Sequence, residues 1–238
     1  MSLNRHMTSS LVLELQSAAL DPAKPVDSLL RMALVVATKL KLAELRSWCE
    51  QELGGYAQEG VPTYRRVRGE VKAHNPYRGW IPVMFANAPL HEQLSQREVG
   101  SPISELEHLL SQKSDGTLHM AFSQSTLLEV FGDSEAFQLG MVPTLIIGRS
   151  EVHGILAAVR DRVLNWSLRL EQEGILGDGM TFSAKEVSKA SSITYNIGTF
   201  TGVLGDVSGS NVHVVDYSSV HAGLKKAGIQ QADRNALA

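Results

Sequence analysis

The apolar positions of this chain change period several times, and each change predicts an element. Leu11, Leu15 and Ala18 share one face of a helix that Ser9 and Ser10 can cap and that Asp21-Pro22 ends near Leu20. Asp27 or Ser28 is placed to cap a second helix, with Leu30, Leu34 and Ala37 on its apolar face. Leu42, Leu45, Cys49 and Leu53 continue at helical spacing, on a bend or a third helix, until Gly54-Gly55 supplies the left-handed backbone that ends helices. Cys49 falls on the apolar stripe and reads as a small buried hydrophobe, and Trp48 in the same stripe is expected to be buried.

After Pro62 the period becomes two. Val67, Gly69, Val71 and Ala73 alternate with Arg66, Arg68, Glu70 and Lys72, which is strand spacing with one wet face. Asn75-Pro76 turns the chain, and residues 80–85 are the candidate partner strand. Helical signals return at 89–99 and at 102–112, the latter with Ser101 as cap and Pro102 in the first turn. Leu118, Met120 and Phe122 alternate as a short strand, 126–131 reads as one or two helical turns, and 142–147 is a buried strand or the lead-in to the next helix.

That next helix is the clearest element. With Ser150 as its cap, Val152, Leu156, Val159, Val163, Trp166 and Leu170 recur at alternating steps of four and three, a narrow heptad seam. It can pack on the N-terminal helices of the same chain, or pair with a second chain over 150–173. Beyond Ser191 charge almost vanishes. Ile193, Tyr195 and Ile197 alternate with Thr194 and Asn196, and glycines punctuate the run to Val220. Strands this short need neighbours to cover them, so 193–220 is expected to be an assembly element or a connector. Residues 225–238 read as helical and stop without an end signal, which leaves room for a downstream effector module.

Composition narrows the class of protein. The chain has 238 residues, 43% hydrophobic and 20% charged, with a net charge of −3. That balance fits a globular protein and argues against wholesale nucleic-acid binding, while leaving room for a local basic patch. One cysteine excludes an intrachain disulfide and fits a reducing cytoplasm. No apolar run is long enough to span a membrane.

The usual signatures of catalysis, metal and cofactor fail one by one. No phosphate loop is present, and Gly198-Thr-Phe-Thr-Gly202 lacks the third glycine of a dinucleotide fingerprint. Ser208 does not sit between two glycines as a nucleophile elbow requires. His91-Glu92 has no second histidine, and Glu105-Leu-Glu-His108 is half of a di-metal motif without its other half. No cofactor is therefore expected. One constellation survives. Tyr64, Arg65, Arg66, Arg68, Lys72, His74, Tyr77, Arg78 and Trp80 concentrate cations and rings on the expected hairpin. Of these, Arg65, Arg66, Arg68, Lys72, Tyr77 and Arg78 are the candidate nucleic-acid contacts, because cations meet phosphate while rings stack bases. His119, Arg66 and Arg68 are the candidate catalytic groups for metal-free RNA cleavage, with histidine moving a proton and arginine stabilising charge on phosphorus. A solvated strand face explains the same residues without any ligand.

Several spaced segments bear a resemblance. Leu11-Val-Leu-Glu-Leu-Gln, Ala37-Thr-Lys-Leu, the run from Trp48 to Glu52-Leu53-Gly-Gly-Tyr56, and Val61-Pro-Thr-Tyr-Arg65 together resemble the AbiTii domain of bacterial abortive-infection proteins. Ser101-Pro-Ile-Ser-Glu-Leu106 and the helix from Ser150 look like its later segments. The resemblance covers roughly Ser10 to Glu186. It implies anti-phage defence and carries over no catalytic residues. The expected architecture is α+β: a leader over 1–9, an AbiTii-like domain over 10–190 with a helical N-terminal part, a small antiparallel sheet and a long helix, then a Gly/Ser/Val-rich β segment over 191–221 and a helical tail over 222–238. Three function classes follow: a self-assembling regulatory or scaffold module, a toxin acting on RNA, and a passive nucleic-acid-binding module.

Overall fold

In the computed structural model, residues 10–57, 60–85, 87–112 and 116–192 are described; the leader, the Gly/Ser/Val segment from 193 onward and the tail lie outside them. Nine helices and five strands follow in the order α1 (Leu11–Leu20), α2 (Val26–Lys39), α3 (Ala43–Gly54), β1 (Arg66–Asn75), β2 (Gly79–Pro82), α4 (Ala88–Leu94), β3 (Gln96–Glu98), α5 (Ile103–Ser111), β4 (Thr117–Ala121), α6 (Gln124–Phe131), α7 (Glu135–Gln138), β5 (Pro143–Gly148), α8 (Arg149–Gln172) and α9 (Ala184–Ser191) among these residues. A single 3-10 turn, Thr63–Arg65, leads into β1. The architecture is the expected α+β one.

The sheet is antiparallel throughout, in the order β2-β1-β5-β4, with β3 pairing the first residues of β1. Alternation along β1 is as the sequence predicts. Val67, Val71 and Ala73 are buried, while Arg66, Arg68, Glu70 and His74 face outward. Leu145 and Ile147 of β5 bury on the same side as the valines. Gly69 is required at the centre of this pair of strands. A side-chain carbon there would lie 2.3 Å from the Ile146 carbonyl oxygen and 2.7 Å from Ile147 Cγ2.

The inner face of the sheet and the helices share one core. Val152, Ile155, Val159, Val163, Trp166 and Leu170 of α8 are buried, and α8 packs on α1, α2, α5, β1 and β5. The heptad seam is thus filled by this chain's own helices, with Ile155 taking the inward place expected of Leu156. A helix pair between chains over 150–173 would have to use other faces. Trp48 and Cys49 are buried as expected, and burial pushes the Cys49 thiol up to about 12.

Helix ends show where local signals gave way to tertiary ones. Ser10 caps α1, its hydroxyl accepting the Leu13 N–H. Neither Asp27 nor Ser28 caps α2. The helix begins at Val26, and Glu107 of α5 accepts the Val26 and Asp27 N–H groups. Gly148, not Ser150, stands at the start of α8 because β5 runs directly into the helix. Arg160 donates to the carbonyls of Ala18, Ala19 and Asp21 at the end of α1. The helix expected over 89–99 stops at Leu94, and Gln96–Glu98 form β3 instead. Among the described residues no helix is long and apolar enough to cross a membrane.

Candidate functional site: an aromatic strip on the open sheet face

The outward positions of the sheet build a strip around Trp80. Residue pairing sets its layout: His74 lies opposite Trp80 across β1 and β2, Lys72 opposite Thr144, and Glu70 opposite Ile146, which in turn lies opposite His119 on β4. Trp80 and His119 therefore start three strands and four residues of register apart, roughly 19 Å in a flat sheet. Their rings nevertheless meet, with centroids 4.8 Å apart at 75°. His74 meets the same indole at 5.2 Å and 71°. Both contacts have the edge-to-face geometry that ring quadrupoles favour. His74 is the direct cross-strand partner of Trp80, whereas the contact with His119 closes over β1 and β5, and Ile146, though on the outer face, is buried. Trp80 itself stays 39% exposed.

Cations surround the strip at the rim. Lys72 pairs with Glu70 at 2.7 Å, and this pairing lowers the Glu70 carboxyl. Arg66 is paired with Glu98 at 2.8 Å and Arg68 with Glu92 at 2.6 Å. All four of those side chains are substantially exposed, so the pairs hold weakly and the guanidinium groups can change partners. Asn75 accepts the N–H groups of Tyr77 and Arg78 and so shapes the hairpin tip, where Tyr77 is 95% exposed.

Arg65 has to be removed from the candidate nucleic-acid contacts. It is fully buried, with both Nε and Nη2 on the Glu52 carboxylate and Nη1 on the carbonyls of Val99 and Ser101. All three guanidinium nitrogens donate inside the fold. The Tyr56 and Tyr64 hydroxyls both donate to Glu52 Oε1, and Trp48 Nε1 donates to the Tyr64 oxygen at 2.9 Å. Burial first, and then the Glu52 charge, raises both tyrosine hydroxyls and keeps them protonated as donors. The Arg162 guanidinium lies over the Tyr64 ring, 3.7 Å from its centroid. Glu52 and Tyr56 stand in the family-like run of the sequence, but nothing there ties them or Arg162 to Arg65, although Arg65 shares the inward parity of Val67 and Val71.

The structure thus brings His74, Trp80 and His119 together on one face, places Lys72, Arg66 and Arg68 along the same face, and sets Tyr77 and Arg78 at the hairpin tip. Compared with known proteins, the chain matches the AbiTii family over residues 10–195. No curated protein and no solved structure matches it.

Proposed function

The chain belongs to the AbiTii family, and we propose that it serves abortive infection by holding single-stranded RNA across the open face of its sheet. Family membership places it with bacterial abortive-infection defence proteins; the RNA-holding role is our reading. The observation that carries it is Trp80, an indole kept partly exposed on the solvent side of a sheet and flanked by two further rings. Unpaired bases stack on such rings, whereas duplex bases are already stacked on each other. Arg66 and Arg68 can exchange exposed carboxylates for phosphates at little cost. The net charge of −3 makes the contact local and salt-dependent rather than a general affinity for polyanions. The single buried cysteine fits action in the cytoplasm.

Trp48 and Trp166 are buried, so Trp80 is the accessible fluorophore. Adding a single-stranded oligoribonucleotide at low salt should quench its emission, with affinity falling as salt rises. Trp80→Ala should weaken binding about tenfold or more, the scale of one lost stacking contact. Arg66→Ala with Arg68→Ala should weaken it and flatten the salt dependence. Absence of binding at low salt would end this reading. A regulatory module that self-assembles through 193–220 is the second reading, supported by the alternation of Ile193, Tyr195 and Ile197.

A further inference from the structure

Resting on that reading, we infer that the same face cleaves the RNA it holds, with His74 and His119 as the proton-transfer pair. Imidazole is the side chain suited to both taking and giving a proton near neutrality. The two stand against one indole, on β1 and β4, strands that are not neighbours in the sheet. A base stacked on the exposed part of Trp80 brings its ribose and 3′-phosphate within reach of the two imidazoles, whose ring centroids lie 5.2 and 4.8 Å from that of the indole. One imidazole takes the proton of the ribose 2′-hydroxyl as that oxygen forms its bond to phosphorus. The bond from phosphorus to the 5′-oxygen of the next nucleotide breaks, and the other imidazole gives that oxygen a proton. The products are a 2′,3′-cyclic phosphate and a free 5′-hydroxyl. No metal, oxidant or second substrate enters, and the proton count closes.

Other charged groups on the face fit these roles. Lys72 is partly shielded and one row from His119 in the pairing register, placed to stabilise charge on the phosphorane oxygens. Glu70 shares the row of His119, with Ile146 between them. Arg66 and Arg68, further along β1, serve the flanking phosphates rather than the reacting one. This replaces the pairing of His119 with Arg66 and Arg68 expected from sequence by a histidine pair with Lys72.

The test uses the full chain, an end-labelled single-stranded RNA, and an all-deoxy strand of the same sequence, in a chelating buffer. Expected are cyclic-phosphate and 5′-hydroxyl ends from the RNA and no cleavage of the deoxy strand. His74→Gln and His119→Gln should each slow cleavage about 100-fold or more at saturating RNA, where a change in binding does not enter the rate. Each should also remove one limb of a bell-shaped rate profile against pH. RNA bound but left intact overturns this inference and leaves the binding reading standing. Cleavage of the deoxy strand, or unchanged rates in both histidine variants, also overturns it. If no RNA binds at all, both readings fall together.

Discussion

The Arg65 guanidinium grips both oxygens of the Glu52 carboxylate, and neither side chain touches water. This pair joins the end of α3 to the start of β1. Through Val99 and Ser101 it also fixes the segment between β3 and α5. Gly55, with φ +90°, lets the chain leave α3 close enough for the Tyr56 N–H to reach the Gly100 carbonyl at 2.8 Å.

Removing one partner should therefore be severe. Arg65→Met leaves a buried carboxylate with two tyrosine donors and its contacting countercharge gone, Arg162 remaining only beyond the Tyr64 ring, at a cost of about 3–5 kcal/mol. Arg65→Lys should recover only part of that loss, because one ammonium cannot reach the carboxylate and two carbonyls together. Urea unfolding midpoints decide it. A loss below about 1 kcal/mol for Arg65→Met would mean that water or another cation takes the place of the guanidinium.

Gly69→Ala should destabilise by about 1–3 kcal/mol, since the added carbon meets a backbone oxygen that cannot move without breaking the β1–β5 ladder. A melting temperature unchanged from the wild type would show that the two strands can part at this point. Amide exchange at Ile146 and Ile147 should report the same opening.

Acid should loosen the C-terminal edge of the described fold first. Burial works to raise the Glu186 carboxyl, but the N–H groups of Gly177 and Ser183, the Ser183 hydroxyl and the Leu176 N–H outweigh it and hold it at about 2. A carboxyl held below its ordinary 4.5 adds stability above that pH and loses it as pH falls toward 2. Glu186→Gln should flatten this limb of the stability profile and cost about 0.5–2 kcal/mol near neutrality, because the amide offers one neutral oxygen where two charged ones accept from Leu176, Gly177 and Ser183. Thermal melts across that pH window test both parts. An unchanged acid limb in the variant would assign it to other carboxylates.

Val159→Asp or Val163→Asp places an unpaired charge on the fully enclosed stripe of α8. The cost is about 3 kcal/mol or more, and the expected product is insoluble or molten protein. Retention of a sharp near-ultraviolet dichroism signal with an unchanged melt would contradict the packing described for α8.

Removal of 193–238 tests self-assembly. If that segment joins chains, the truncated protein stays folded and scatters light as a smaller species than the full chain. Equal stoichiometry in the two proteins, or a monomeric full chain at micromolar concentration, would leave the segment as a connector.

What the sequence made legible was whatever repeats locally. The alternation through Val67, Val71 and Ala73 and the heptad from Val152 to Leu170 each involve a single element meeting a single core. Glu107 capping α2 and Glu186 closing the turn before α9 were hidden, because the first partner lies about 80 residues away and the second acts on backbone groups. β3 was hidden because three residues are too few to display a period. Arg65 was misjudged by composition, grouped with cations beside it although its parity follows Val67 inward. The His74–Trp80–His119 strip was half legible. The hairpin brings the first two together through the five residues between them, but the approach of β4 depends on β5 lying between, which no local pattern encodes.

The seat of α1 has a consequence for how this protein comes into being. Ser10 Oγ donates to the Leu176 carbonyl, and the Val12 N–H reaches the same oxygen, so the first described helix is held by residues made some 160 positions later. Contacts that distant form late, and a nascent chain leaves the ribosome at only about 5–20 residues per second. For about ten seconds or more of synthesis the apolar side of α1 has no α8 to rest on. A chain released before Leu176 has been made therefore leaves its first helix without this seat.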